Sequence, residues 1–198
     1  MHNQSRFIRT TAAVIWAVLL VAATSTTSAQ DKCEAIDANA MGTSTQAGKM
    51  ILVKFLFCKF STPEDRQTLI DAFQKGQTPG LTRALEKMSS SGRISLPGTV
   101  GYDVAYAQVI PTSTGRQIRF ITNRKIAFAE MYNTTRSKDY SLTAGQIDLN
   151  DQDKSKNTGE LHPALKLKMN KKGELEWEVF RNPWRLQNIT DWGNKEEK

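Results

Sequence analysis

A chain of 198 residues with a formal charge of +7, 39% hydrophobic residues and two cysteines has the make-up of one globular domain. Two histidines and two cysteines are too few for a multi-histidine or cysteine-rich metal centre. There is no phosphate-binding loop, no GxSxG, no GxGxxG after a strand and no HExxH, so the common motif-bearing enzymes are excluded and no cofactor is called for.

The first residues read as an address. Arg6 and Arg9 precede an apolar run, AAVIWAVLLVAA at 12–23, that is short for a membrane span. Thr27 and Ala29 are small where a signal peptidase inspects the chain, which predicts a signal peptide over 1–29. An uncleaved anchor is the alternative. After cleavage no integral membrane segment remains, and the formal charge falls to +5 with the loss of Arg6 and Arg9. The remaining basic residues are interleaved with acids, which fits an exported domain better than a polyanion-binding one. The expected location is periplasmic or extracellular. The expected organisation is a single β-rich globular domain over 30–192 and a charged flexible tail over 193–198.

An oxidising compartment allows Cys33 and Cys58 to pair. If CEAIDANAM and KMILVKFLFC form a hairpin around GTSTQAG, equal steps from the turn set Met41 opposite Met50 and Cys33 opposite Cys58. Residues 49–60 read as a buried strand. Helix signals then follow over 62–88: Thr62 as cap, Pro63 in the first turn, Gly76 as a stop, then Thr78 and Pro79 repeating the device. Leu69, Ile70 and Phe73 make one apolar face, and Leu81, Ala84, Leu85 and Met88 a second, which predicts a short helical hairpin.

Beyond SSSG at 89–92 the period is that of strands. Tyr102, Val104 and Tyr106 alternate, as do Ile118 and Phe120 across PTSTG. Ile147 and Leu149 mark a further strand. In LKLKMNKKGELEWEV, a turn at Asn170–Gly173 sets Leu167 opposite Trp177, Lys168 opposite Glu176 and Lys166 opposite Glu178. The charged stripes are therefore register devices. A Trp-rich strand over 181–192 closes the domain. The fold class is α+β and β-rich: an antiparallel β-sandwich or flattened barrel of about eight strands, with the helical hairpin inserted after the first β-hairpin.

One stretch stands apart, NRKIAFAEMYNTTRSKDYSLT at 123–143. It begins as a strand and turns polar. Glu130, Tyr132, Asn133, Arg136, Asp139 and Tyr140 are the candidate ligand-binding residues, with Arg136 able to bridge Glu130 and Asp139 and tie the connection down. A carboxylate hydrolase would draw on Glu130, Asp139 or Asp103. A carrier of a small apolar ligand would line a barrel with Trp177, Tyr102, Tyr106 and Phe120. DLNDQDKSKNTGE at 148–160 lacks the EF-hand pattern and reads as a solvated turn. His162 reads as a surface histidine. Arg181, Trp184 and Arg185 come closest to a nucleic-acid surface, but a strand packing Trp184 inward explains them, and no nucleic-acid partner is expected. The expected role is non-enzymatic, in binding or in the cell envelope, and the partner is left open between a protein and a small-molecule ligand.

The chain also resembles a family of uncharacterised exported proteins of soil bacteria. The resemblance rests on FSTPEDRQTLIDAFQKG at 60–76, LTRALEKM at 81–88, GRISLPGTVGYDVAYA at 92–107, IRFITNRKIAFAEMYNTTRSKDYSLT at 118–143 and RLQNI at 185–189. This chain departs from it at Lys125 and Ser141, where the family has Pro, and in its two cysteines. The resemblance implies a β-rich exported domain and carries no activity.

Overall fold

The computed structural model describes residues 32–124, 126, 140–169, 175–179 and 182–195. Among these residues nine strands and one long helical stretch follow in the order β1 (Cys33–Met41), β2 (Met50–Phe57), α1 (Pro63–Lys87), β3 (Gly92–Ser95), β4 (Tyr102–Pro111), β5 (Gly115–Thr122), β6 (Leu142–Asn150), β7 (Thr158–Met169), β8 (Leu175–Val179) and β9 (Trp184–Lys195). The strands pair in the order β6-β5-β4-β3-β2-β1-β9-β7, and β7 pairs back onto β6. That last pairing closes an antiparallel barrel of eight strands, with β8 extending beside β7. The return of β7 to β6 decides for a barrel over a sandwich, and leaves β8 as the one edge strand among the described residues.

Two registers follow the sequence pattern. Met41 faces Met50, and Cys33 is disulfide-bonded to Cys58 with Cα atoms 3.9 Å apart. In the later hairpin Leu167 faces Trp177, Lys166 faces Glu178 and Lys168 faces Glu176. β9 runs to Lys195, which pairs with Cys33, so the strand takes in the first residues of the expected charged tail.

Alternation along each strand builds the interior. Ile36, Ala38 and Ala40 of β1, Val53, Phe55 and Phe57 of β2, and Ile118 and Phe120 of β5 all face one cluster with Trp184 and Leu186 of β9. The Phe120 ring lies 5.4 Å from that of Phe55 and 5.8 Å from that of Phe57, centre to centre. Its partner across the ladder is Gly145. A Cβ there would meet the Phe120 ring at 2.3 Å, so this position must be glycine for the ring to lie flat inside.

The second cluster lies outside the barrel. Leu69, Phe73, Leu81 and Leu85 of α1 cover Ala105 and Tyr106 of β4, Leu142 and Ala144 of β6, and Leu165 and Leu167 of β7. β4 contributes Val104 and Ala107 to the first cluster and Ala105 and Tyr106 to the second, because the slip against β5 between Val104 and Tyr106 turns the adjacent Ala105 and Tyr106 to the same outer face. A second slip between β6 and β7 lies between Leu142 and Ala144.

The helix begins as the sequence predicts. Thr62 accepts the Asp65 N–H at 3.2 Å, and Asp65 accepts the Thr62 N–H at 2.9 Å, completing a capping box ahead of Pro63. The expected two helices are present as the halves of α1, which meet at a sharp break at Gln77, the residue after Gly76, with φ 51° and ψ −151°. The hydroxyl of Thr78, expected as the second cap, donates to the Leu167 carbonyl at 3.0 Å and so ties the break to β7. Gly80 lets the two halves meet: a Cβ there would lie 2.5 Å from the Ala72 carbonyl oxygen.

Candidate functional site

Of the six polar residues singled out in 123–143, Tyr140 falls within the described residues. Glu130, Tyr132, Asn133, Arg136 and Asp139 lie outside them, as does the expected Arg136 bridge. The Tyr140 hydroxyl donates to Glu178 Oε1 at 2.9 Å, tying the start of β6 to β8. Lys166 Nζ sits 2.9 Å from the same carboxylate and 5.1 Å from the centre of the Tyr140 ring. Donation to Glu178 raises the Tyr140 phenol above its ordinary pKa. The hydrogen bonds from Lys166 and Tyr140 hold the Glu178 carboxyl below its own.

Buried hydroxyls anchor the other side. Ile126 is fully buried, and its N–H donates to Thr143 Oγ1 at 3.0 Å. Thr143 Oγ1 in turn donates to the Pro163 carbonyl at 2.8 Å. The Thr143 N–H donates to Thr122 Oγ1 at 3.2 Å. Thr122 and Thr143 are both fully buried, and together they satisfy backbone groups freed by the slip in β6.

Between these anchors and α1 opens a groove of about 490 Å3. Among the described residues it is lined by Gln77, Thr78 and Pro79 at the kink, Thr82 and Arg83 one turn on, Ser141, and Lys166. The Thr82 and Ser141 hydroxyls are 3.2 Å apart. This described lining holds two cations and no carboxylate. Gln77 contributes a backbone conformation that is essentially reserved for glycine and costs a non-glycine residue about 1–3 kcal/mol.

Of the other carboxylates proposed for catalysis, Asp103 lies within the described residues and is engaged elsewhere. Asp103 faces Arg93 across β3 and β4 at 3.7 Å, on the exposed surface. A second cluster was not foreseen. Arg116 of β5 reaches Glu34 of β1 at 2.5 Å and Asp191 of β9 at 2.9 Å. Glu34 is buried, and desolvation pushes its carboxyl above the ordinary value, Arg116 pulls it back and Asp191 adds to the rise. Arg116 Nε has no hydrogen-bond partner among the described residues. The signal was present in the alternation: Glu34 shares parity with Ile36 and Ala38, and Arg116 with Ile118 and Phe120.

His162 is not on the surface as expected. Its side chain is 11% exposed, 3.5 Å from Glu160, and burial holds the imidazole below its ordinary pKa. The Asp-rich turn closes on itself: Asn150 Oδ1 accepts from the N–H groups of Gln152 and Asp153, and Asp153 Oδ1 from that of Ser155. Among the described residues no group of three potential metal ligands comes together, and no helix is long and apolar enough to cross a membrane. Of the four aromatics proposed to line a ligand cavity, Phe120 is inside the barrel, Tyr106 lies beneath α1, and Tyr102 packs against the interior cluster with Arg124 over its ring. The side chain of Trp177 lies outside the described set.

Fold and site together define a disulfide-bonded, eight-stranded antiparallel barrel with a kinked helix on its outer wall and a cation-lined groove at the kink. Compared with known proteins, the chain matches no family model, no curated protein and no solved structure.

Proposed function

We propose that this is an exported barrel domain that binds a small organic anion without transforming it, in the groove at the α1 kink. The observation that carries this reading is the groove itself: Arg83 beside the Thr82 and Ser141 hydroxyls, with Lys166, which also holds Glu178, on the far side and no acid in the described lining. The Arg83 guanidinium suits a carboxylate or phosphate ester, with Ser141 the hydroxyl that can reach it, since the Thr82 hydroxyl donates to the Thr78 carbonyl at 3.0 Å. The strained backbone at Gln77 supports it, because conformations of that kind persist where function requires them. The Cys33–Cys58 bridge supports export, since such bridges are kept in oxidising compartments. Binding is favoured over hydrolysis because the described carboxylates of the candidate sites are matched by cations: Asp103 by Arg93, Glu34 and Asp191 by Arg116.

The test is a thermal-shift series at low salt with mono- and dicarboxylates and phosphate esters. At least one of them raises the Tm of the wild type, and Arg83→Ala removes the rise. A series in which no anion shifts the Tm, or in which Arg83→Ala shifts as the wild type does, overturns the reading.

A further inference from the structure

We propose that Glu178 limits the ligand of the α1 groove to a single negative charge, so that the groove takes a monocarboxylic acid with an uncharged body; this rests on the anion-binding function proposed above. Lys166 lines the groove, but its charge is already matched. Glu178 Oε1 lies 2.9 Å from Lys166 Nζ and accepts the Tyr140 hydroxyl at 2.9 Å, while Lys168 Nζ stands 3.9 Å from Oε2. Hydrogen bonds from Lys166 and Tyr140 hold the Glu178 carboxyl below its ordinary pKa, so it is ionised at neutral pH. Lys166 and Glu178 are also direct partners across β7 and β8, so the ladder itself keeps them together. Arg83 differs: it is exposed and makes no ion pair among the described residues, Glu86 on the same helix included.

The charges select the ligand. Arg83 offers one unmatched cation, whose planar fork takes one carboxylate through parallel hydrogen bonds. A second carboxylate, or the second charge of a phosphate monoester, must displace Glu178 from Lys166 or lie near it as a like charge. Like charges set side by side are strongly disfavoured, and such repulsion is a means of discrimination. The other polar groups of the lining decide the body of the ligand. The Thr78 hydroxyl donates to the Leu167 carbonyl and the Thr82 hydroxyl to the Thr78 carbonyl, both at 3.0 Å. Of the uncharged side chains in the described lining, Ser141 and Gln77 keep donors for a ligand, and Pro79 adds an apolar wall. A groove of about 490 Å3 is far larger than a carboxylate, so most of it faces a body that few donors hold.

The experiment is isothermal titration calorimetry at low salt with hexanoate, adipate and phenyl phosphate, the first two matched in length. The wild type binds hexanoate about tenfold more tightly than adipate or phenyl phosphate. Glu178→Gln raises the ratio of adipate to hexanoate affinity about tenfold, because Lys166 then takes the second carboxylate. Adding Lys166→Met to Glu178→Gln returns the ratio to the wild-type value, which a merely structural role of Glu178 would not do. Adipate or phenyl phosphate bound by the wild type as tightly as hexanoate overturns this proposal and leaves the anion-binding function standing. So does a ratio that Glu178→Gln does not move. Failure of all three compounds to bind either protein overturns both.

Discussion

The two ends of the barrel are closed by different physics. At one, Arg116 spans from β5 to β1 and β9 and holds two carboxylates, beside the Cys33–Cys58 bridge. At the other, Thr122 and Thr143 close the wall with neutral hydroxyls buried against backbone groups. Charges taken from water must be matched or they become costly, whereas a hydroxyl asks for one or two partners. The charged end should therefore respond to pH and redox potential, and the hydroxyl end to neither.

Four measurements test that contrast. The largest effect is expected from Cys33→Ser with Cys58→Ser, a loss of about 3 kcal/mol on the chain-entropy estimate, read by urea denaturation. A loss well under 1 kcal/mol would mean that the hairpin is already held closed without the bridge. Next is Arg116→Met, about 2–3 kcal/mol, less than for a fully buried pair because the guanidinium is 35% exposed. Equal stability in this variant would show that the charge cluster does not hold its end. At the hydroxyl end Thr143→Val strands the Ile126 N–H and the Pro163 carbonyl and costs about 1–2 kcal/mol, by the same amount at pH 5 and pH 8.

The smallest effect concerns pH. The folded-state pKa of Glu34 is raised above the ordinary 4.5, so the folded chain holds this proton more tightly than the unfolded one. Its contribution is present in full below 4.5 and is lost as pH rises through the raised value. Glu34→Gln removes that slope, so the Tm difference between variant and wild type should shift in favour of the variant as pH rises from 4 to 7. His162 works in the opposite sense: its lowered pKa makes stability fall as pH drops below 6.5, in both proteins alike. Parallel Tm profiles for wild type and Glu34→Gln would remove the charged end from the pH response.

Legibility followed distance along the chain. Cys33 with Cys58 and Lys166 with Glu178 were readable because each hairpin is counted outward from its own turn. The start of α1 was readable from Thr62 and Pro63, and the break in its middle from Gly76 and Pro79, but the role of Thr78 was not. Thr78 has the spelling of a cap, and the Leu167 carbonyl, 89 residues away, took its hydroxyl instead. His162 was misjudged because its place beside Pro163 reads as the start of a strand, whereas β7 begins at Thr158 and carries His162 into the ladder opposite Ala144.

By itself, then, the sequence determined the β-rich class, the helical insertion, the two hairpin registers and the pairing of the cysteines. All of these depend on periodicity and on residues close in the chain. Only the tertiary structure decided that β7 returns to β6 and closes the barrel, and that Arg116 meets Glu34 across a separation of 82 residues. It alone brought Arg83, Ser141 and Lys166 to one groove. The physical reason is that each such contact depends on where slips in register turn a strand and how the sheet closes, and neither is written in any one segment.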